Sequence, residues 1–178
     1  ELVLATPPQH EPGVKTEYSD LSFLLLGFAM EDLLGVPLDQ AVTAQVFDEL
    51  GLAARYIRVD RSCERAAAES ESVVAATEDS AWRGGVLQGQ VHDDNCWAMG
   101  GYAGHAGAFG RGEDVLAFAA RWLRGSFVSR ATRDRAWARA ERPEGCERTF
   151  GWDTPSAVGS SAGRHFFPGS VGHTGFTG

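Results

Sequence analysis

Hydrophobic positions are distributed along the chain in two ways. Between Tyr18 and Gly35, "YSDLSFLLLGFAMEDLLG" is apolar on nearly every side, which predicts a helix enclosed on all faces. Ser19 or Asp20 can accept from the unpaired N–H groups of its first turn, and Gly35 suits the left-handed cap at its end. Pro37 opens a second helix, "PLDQAVTAQVFDELGL", that stops near Gly51. Farther on, "GEDVLAFAARWLRG" places Val115, Phe118, Ala119, Trp122 and Leu123 at i, i+3, i+4, i+7 and i+8, one apolar stripe of a helix. Glu113 and Asp114 complement the positive start of that helix, Arg121 and Arg124 its negative end, and Gly125 stops it. "VSRATRDRAWARAE" predicts another helix, capped by Ser129.

The remaining segments are less regular. Residues 1–17 hold "TPPQHEPG", whose prolines and glycine favour extended and turn conformations. "RYIRVD" predicts a short strand and "SCERAAAESESVVAA" a weak helix. "WRGGVLQGQVHDDN" has too many glycines for a helix interior. "TFGWDTP" and "GSVGHTGFTG" are candidate short strands. No repeat and no low-complexity segment is present, so the 178 residues are read as a single helix-rich domain with few strands.

Charge and composition narrow the function classes. The formal net charge of −8 argues against a nucleic-acid partner, since no basic stripe is available to displace counterions. The longest apolar run, residues 21–30, is half the ~20 residues a membrane-crossing helix needs. Three cysteines, Cys63, Cys96 and Cys146, lie far apart without metal-ligand spacing, which argues against both a zinc site and a disulfide framework.

Four stretches can carry chemistry, and each also has a plain structural reading. Tyr18 precedes a capped helix: it is either a packed tyrosine or a phenol held where local positive potential favours a general base. "VHDDN" (91–95) and "GGYAGHAGAFG" (100–110) bring His92, Asp93, Asp94 and His105. These residues suggest either a metal-dependent hydrolase or a tight scaffold loop in which His92 and Asp93 bond each other. Their spacing matches no ligand frame, so the expectation is no metal, with His105 a residue of a cleft loop. In "GHTGFTG", His173 and Thr174 offer donors, glycines let a substrate approach the backbone, and the N–H of Phe176 can face an oxyanion.

Taken in order, "PG…YSDLSFLLLG", "VHDDN…GGYAGHAGAFGRGEDVLAFA" and "GW…GHTGFTG" resemble the serine β-lactamase-like family of class C β-lactamases, penicillin-binding-protein-like DD-peptidases and related esterases. The resemblance implies a mixed α/β (α+β) fold of the β-lactamase/transpeptidase type. This chain would supply mainly its helical region, with a few short strands of the antiparallel sheet. It also implies acyl transfer through a serine acyl-enzyme on a β-lactam, D-alanyl peptide or ester, with no cofactor.

In that family Ser-x-x-Lys supplies the nucleophile, Tyr-x-Asn the proton-handling phenol, and Lys-Thr-Gly the substrate-binding strand. Tyr18-Ser19-Asp20 matches the second motif and His173-Thr174-Gly175 the third. By that match Tyr18 is catalytic, the Phe176 N–H serves the oxyanion, and Asp20, His173, Thr174 and Gly175 bind substrate.

Three departures change the picture. Asp20 replaces an amide donor with an acceptor. His173 replaces a permanent cation with one that titrates near neutrality, which favours an ester over a carboxylate-anchored substrate. No Ser-x-x-Lys is present: the only lysine is Lys15, and Pro12 stands three residues before it. The expectation is therefore a partial domain over 1–178, with the nucleophile upstream and further strands downstream, leaving apolar faces uncovered. The alternative is a non-catalytic relative that binds peptide or peptidoglycan-like ligands.

Overall fold

The computed structural model describes residues 2–59 and 74–176. The helix predicted within 62–76 falls largely outside them, as does Cys63. The chain divides into two compact units, one made of Glu1–Ala5 with Ser19–Ala120 and the other of Thr6–Tyr18 with Arg121–Gly178.

In the first unit, helix α1 (Leu2–Ala5) is a single turn where irregular chain was expected, and α2 (Asp20–Leu34) follows. Ser19 caps α2 by accepting from the N–H of Leu21, and Gly35 ends it at φ 69°, its N–H donating to the Glu31 carbonyl. The second predicted helix forms as α3 (Leu38–Val42), a π-helical turn at Thr43–Phe47, and α4 (Asp48–Leu50). Glu31 joins it to α2, its Oε1 accepting from the N–H of Leu38 at 2.8 Å.

Strands are few and short. β1 (Arg55–Tyr56) pairs antiparallel with β4 (Ala108–Phe109), Arg55 opposite Phe109 and Tyr56 opposite Ala108. β2 (Asp79–Ser80) and β3 (Gly85–Val86) form a hairpin around a 3₁₀ turn at Ala81–Arg83. Helix α5 (Asp94–Ala98) lies between β3 and β4 in sequence, and α6 (Gly112–Arg124) follows β4. This mixture of helices with short antiparallel strands agrees with the expected fold class.

The core of this unit gathers Leu24 of α2, Val91, Cys96 of α5 and Ala103, with Phe28, Trp97 and Phe109 against them. The full enclosure expected of α2 is not observed. Leu24 and Gly27 are its buried residues, whereas Leu25, Leu26 and Leu33 are 39%, 45% and 78% exposed. An all-round apolar sequence permits burial on every face, but only the face toward Ala103 and Leu38 is covered. Among the described residues no single helix is long and apolar enough to cross a membrane.

The second unit packs around tryptophans. Trp122 near the end of α6 stacks on Trp137 of α7 (Arg130–Trp137) at 6.1 Å and meets Trp152 edge-on at 5.8 Å. Arg133 ties the two helices, donating to the Leu123 carbonyl at 2.9 Å and lying over the Trp137 ring. Ser129 caps α7 as expected, accepting from the N–H of Thr132. On the α6 stripe, Val115 and Leu123 remain exposed while Phe118, Ala119 and Trp122 are half-buried, so the apolar period locates the helix but only part of the stripe is covered. The two strands predicted near the end reduce to single bridges, Arg148 with Asp153 and Asp153 with Gly172. A turn between Arg148 and Asp153, closed by the Thr149 N–H on the Trp152 carbonyl at 2.9 Å, leaves too few residues for a longer ladder.

Candidate active site

The predicted site residues fall into two groups, one in each unit. In the second unit, the Tyr18 ring lies beside the His173 ring, centroids 5.9 Å apart and planes inclined by 43°. Nothing in sequence spacing joins residues so far apart in the chain. The Tyr18 side is completed by Arg148, whose guanidinium carbon sits 5.0 Å from the ring centroid. Arg148 also forms an ion pair with Asp153. Tyr18 itself is 57% exposed, so these contacts rather than burial define its surroundings.

His173 is held by its neighbour. Its Nδ1 lies 2.7 Å from the Thr174 carbonyl oxygen. A carbonyl can only accept, so Nδ1 carries the proton in the neutral ring and Nε2 is left as the basic nitrogen. Beside this pair is a pocket of about 540 Å³ lined by Arg148, Asp153, Thr154, Ser160, His173 and Thr174, among others. Its walls are mixed apolar and hydroxyl-bearing, and both His173 and Thr174 of the third motif border it. Gly175 and Phe176 follow directly, with Phe176 exposed.

In the first unit, Asp20 opens α2, and its carboxylate gathers with those of other elements. Ligating atoms of Asp20, Asp93 and His105 all lie within 4.8 Å of one another. His105 Nε2 is 2.8 Å from Asp93 Oδ1, and the imidazole is almost wholly buried. The expected pairing of His92 with Asp93 is therefore corrected. Asp93 bonds His105 and caps α5 through the N–H of Cys96 at 2.7 Å, while His92 faces Glu78 at 3.1 Å. Burial pushes the Asp93 carboxyl up, but the Cys96 N–H and the His105 ring outweigh it and hold the group below the usual carboxylate range.

Arg83 is the reason these loops take this shape, and sequence reasoning missed it. Its side chain is fully buried. It donates to the carbonyls of Val91 and His92 at 2.7 and 2.9 Å, to Gln90 at 2.8 Å and to Asp94 at 3.2 Å. Asp94 is thus engaged by a cation and His92 by Glu78, so the set His92, Asp93, Asp94 and His105 does not converge as a ligand group. Asp93 and His105 meet, with Asp20 in the place of the other two. The donor set left is two carboxylates and one imidazole. Asp93 Oδ1 already accepts from both the Cys96 N–H and the His105 ring, and these bonds fix its position at the start of α5.

Two further titratable groups of this unit, Tyr56 and Cys96, are unsuited to acid–base work. Tyr56 is pushed up to about 12 by burial, with Cys96 and Asp39 adding to the shift. Cys96 is fully buried, and its thiol is likewise pushed up to about 12 by burial and then by Asp93. Because the thiolate is the nucleophile, Cys96 is expected to stay unmodified by iodoacetamide at pH 8 in the native protein and to react on unfolding. Peptide-resolved mass spectrometry distinguishes it from Cys146 and Cys63. Native labelling of Cys96 at the rate of a free thiol would contradict the burial.

A family model described as Beta-lactamase matches residues 1–178. Putative D-alanyl-D-alanine carboxypeptidases from Salmonella heidelberg and Salmonella agona are each 30% identical over the whole chain, which spans 44% of their length. A penicillin-binding protein of Bacillus halodurans shares the fold at a TM-score of 0.61 and 19% identity, over 86% of this chain and 44% of that one. A D-stereospecific amidohydrolase of a Streptomyces species follows at 0.58 and 18%, over 85% and 43%.

Proposed function

Because the chain belongs to the Beta-lactamase family along its full length, we propose that it forms the helical, motif-bearing part of a serine hydrolase that works through an acyl-enzyme. The observation that carries this reading is the contact of the Tyr18 and His173 rings, which brings the family's second and third motifs together. The chain spans less than half the length of the curated relatives it matches. A Ser-x-x-Lys outside these residues would supply the nucleophile, and a further layer would cover the exposed leucines of α2.

The residues then divide the work. The serine oxygen attacks the carbonyl carbon of the substrate, and Tyr18, as general base, takes the hydroxyl proton. The developing oxyanion accepts from backbone N–H groups, that of Phe176 among them. The leaving amine or alcohol departs with a proton returned through Tyr18, and water hydrolyses the ester to regenerate the serine. Thr174, Gly175 and the basic Nε2 of His173 bind the substrate beside the pocket. Asp20 lies at the start of α2 beside Asp93 and His105, and its proposed part in substrate binding rests on the motif match.

The relatives named as D-alanyl-D-alanine carboxypeptidases favour a D-alanyl peptide. A specific feature favours an ester as the second reading: His173 stands where the family has lysine, so no permanent charge is available there for a substrate carboxylate. Turnover of a D-alanyl-D-alanine peptide, nitrocefin and a p-nitrophenyl ester by the full-length protein separates the cases. Hydrolysis of at least one is expected. Binding of all three without turnover would instead support a non-catalytic module.

A further inference from the structure

We propose that Arg148, clamped by Asp153, is the positioning residue that fixes the Tyr18 ring beside the His173-Thr174 motif. The inference rests on the reading that Tyr18 serves acyl transfer, and it concerns residues that the family's three motifs do not include.

Tyr18 poses a physical problem. A phenol this exposed has no packed cavity to set its ring angle, yet proton transfer requires its oxygen to be held within hydrogen-bond reach of the group it serves. Two neighbours define the ring: His173 on one side, and the Arg148 guanidinium at 5.0 Å from its centroid. The guanidinium is planar and charged, so it attracts the ring face and restricts its rotation in a way a point charge does not.

Arg148 is itself fixed to the third motif by a short chain of bonds. Its guanidinium pairs with the Asp153 carboxylate. The Asp153 backbone exchanges both hydrogen bonds with Gly172, N–H to carbonyl at 2.7 and 3.0 Å. Gly172 precedes His173 directly. Thr154 closes the base of the turn, its N–H and hydroxyl both on the Glu147 carbonyl at 3.1 and 2.6 Å. One rigid turn, "RTFGWD" (148–153), thereby carries both the cation under Tyr18 and the backbone that registers His173. A displacement of the turn moves both partners together, which preserves their spacing.

The test is read first on the ring and then on catalysis. The full-length protein is labelled with 3-fluorotyrosine, and the ¹⁹F signals of Tyr18 and Tyr56 are assigned by their loss in Tyr18→Phe and Tyr56→Phe. Arg148→Met should move the Tyr18 signal toward that of free fluorotyrosine while the Tyr56 signal, reporting the first unit, and the fluorescence of the Trp122–Trp137–Trp152 cluster, reporting the second, stay in place. Arg148→Lys keeps charge without the planar face and should give an intermediate displacement. Asp153→Asn should move the signal in the same direction, and it replaces Arg148→Met if that variant fails to fold. On the substrate turned over, kcat should fall about 10²-fold in Arg148→Met with KM changed much less, since misplacement rather than binding is lost. An unmoved Tyr18 signal in folded Arg148→Met or Asp153→Asn overturns the inference. A moved signal with unchanged kcat upholds the positioning and overturns the base role of Tyr18 instead.

Discussion

Tyr18→Phe in the full-length protein should lower the acylation rate by about 10²–10⁴-fold, the usual contribution of one positioned general base. The substitution removes only the hydroxyl. The ring contacts with His173 and with Arg148 depend on the aromatic face, so they survive, and the exposed position adds no cavity. Fold and substrate affinity should therefore be nearly unchanged, and the loss should fall on kcat and kcat/KM together. Stopped-flow acylation with nitrocefin, or steady-state turnover of whichever substrate is hydrolysed, makes the measurement. Tyr56, held protonated by burial, is unsuited to take its place. A full wild-type rate in the phenylalanine variant would remove Tyr18 from the proton path.

Gly104→Ala should produce a large loss of stability, about 3 kcal/mol or more, because it overpacks backbone against backbone. A Cβ at Gly104 would stand 2.0 Å from the Phe23 carbonyl oxygen and 2.9 Å from its carbon. Neither atom can rotate away, so α2 or the 103–107 loop must shift. That loop carries His105, and α2 carries Asp20, so the shift also disturbs the cluster around Asp93. Gly27, on the opposite side of the same contact, is more tolerant. Its added Cβ would meet Gly104 and Leu38 atoms at 3.2–3.3 Å, where a few tenths of an ångström of movement suffice. Urea unfolding should show a large drop in midpoint for Gly104→Ala, a smaller one for Gly27→Ala, and similar slopes for both. Gly35→Ala isolates a different effect, since open space surrounds that position and only its positive φ opposes a side chain.

The helices were readable because their signals are local. Ser19, Gly35, Ser129 and Gly125 each act within a turn or two of the chain, and they stand where the spacing placed them. The strands were less legible, since β1 and β4 each hold only two residues and depend on pairing across more than fifty positions. The all-round apolarity of α2 gave the helix but not its burial, which is decided by what packs against it. Asp93 was legible as a polar group in a glycine-rich region, but its partner was not. His92 is adjacent in sequence, and the turn built by Arg83 points it to Glu78 while bringing His105 to Asp93. Arg148 carried no motif signal at all. Its position beside Tyr18 follows from a turn whose register is set by Gly172, and no spacing rule links these three residues.

Covalent capture tests the central claim most directly. The full-length protein, incubated with a β-lactam and quenched in acid, should gain the mass of one acyl group on a single serine, and Tyr18→Phe should slow that gain about 10²-fold or more. Substrate turnover with no covalent adduct at any time, or an adduct that forms equally fast without the Tyr18 hydroxyl, would contradict the account.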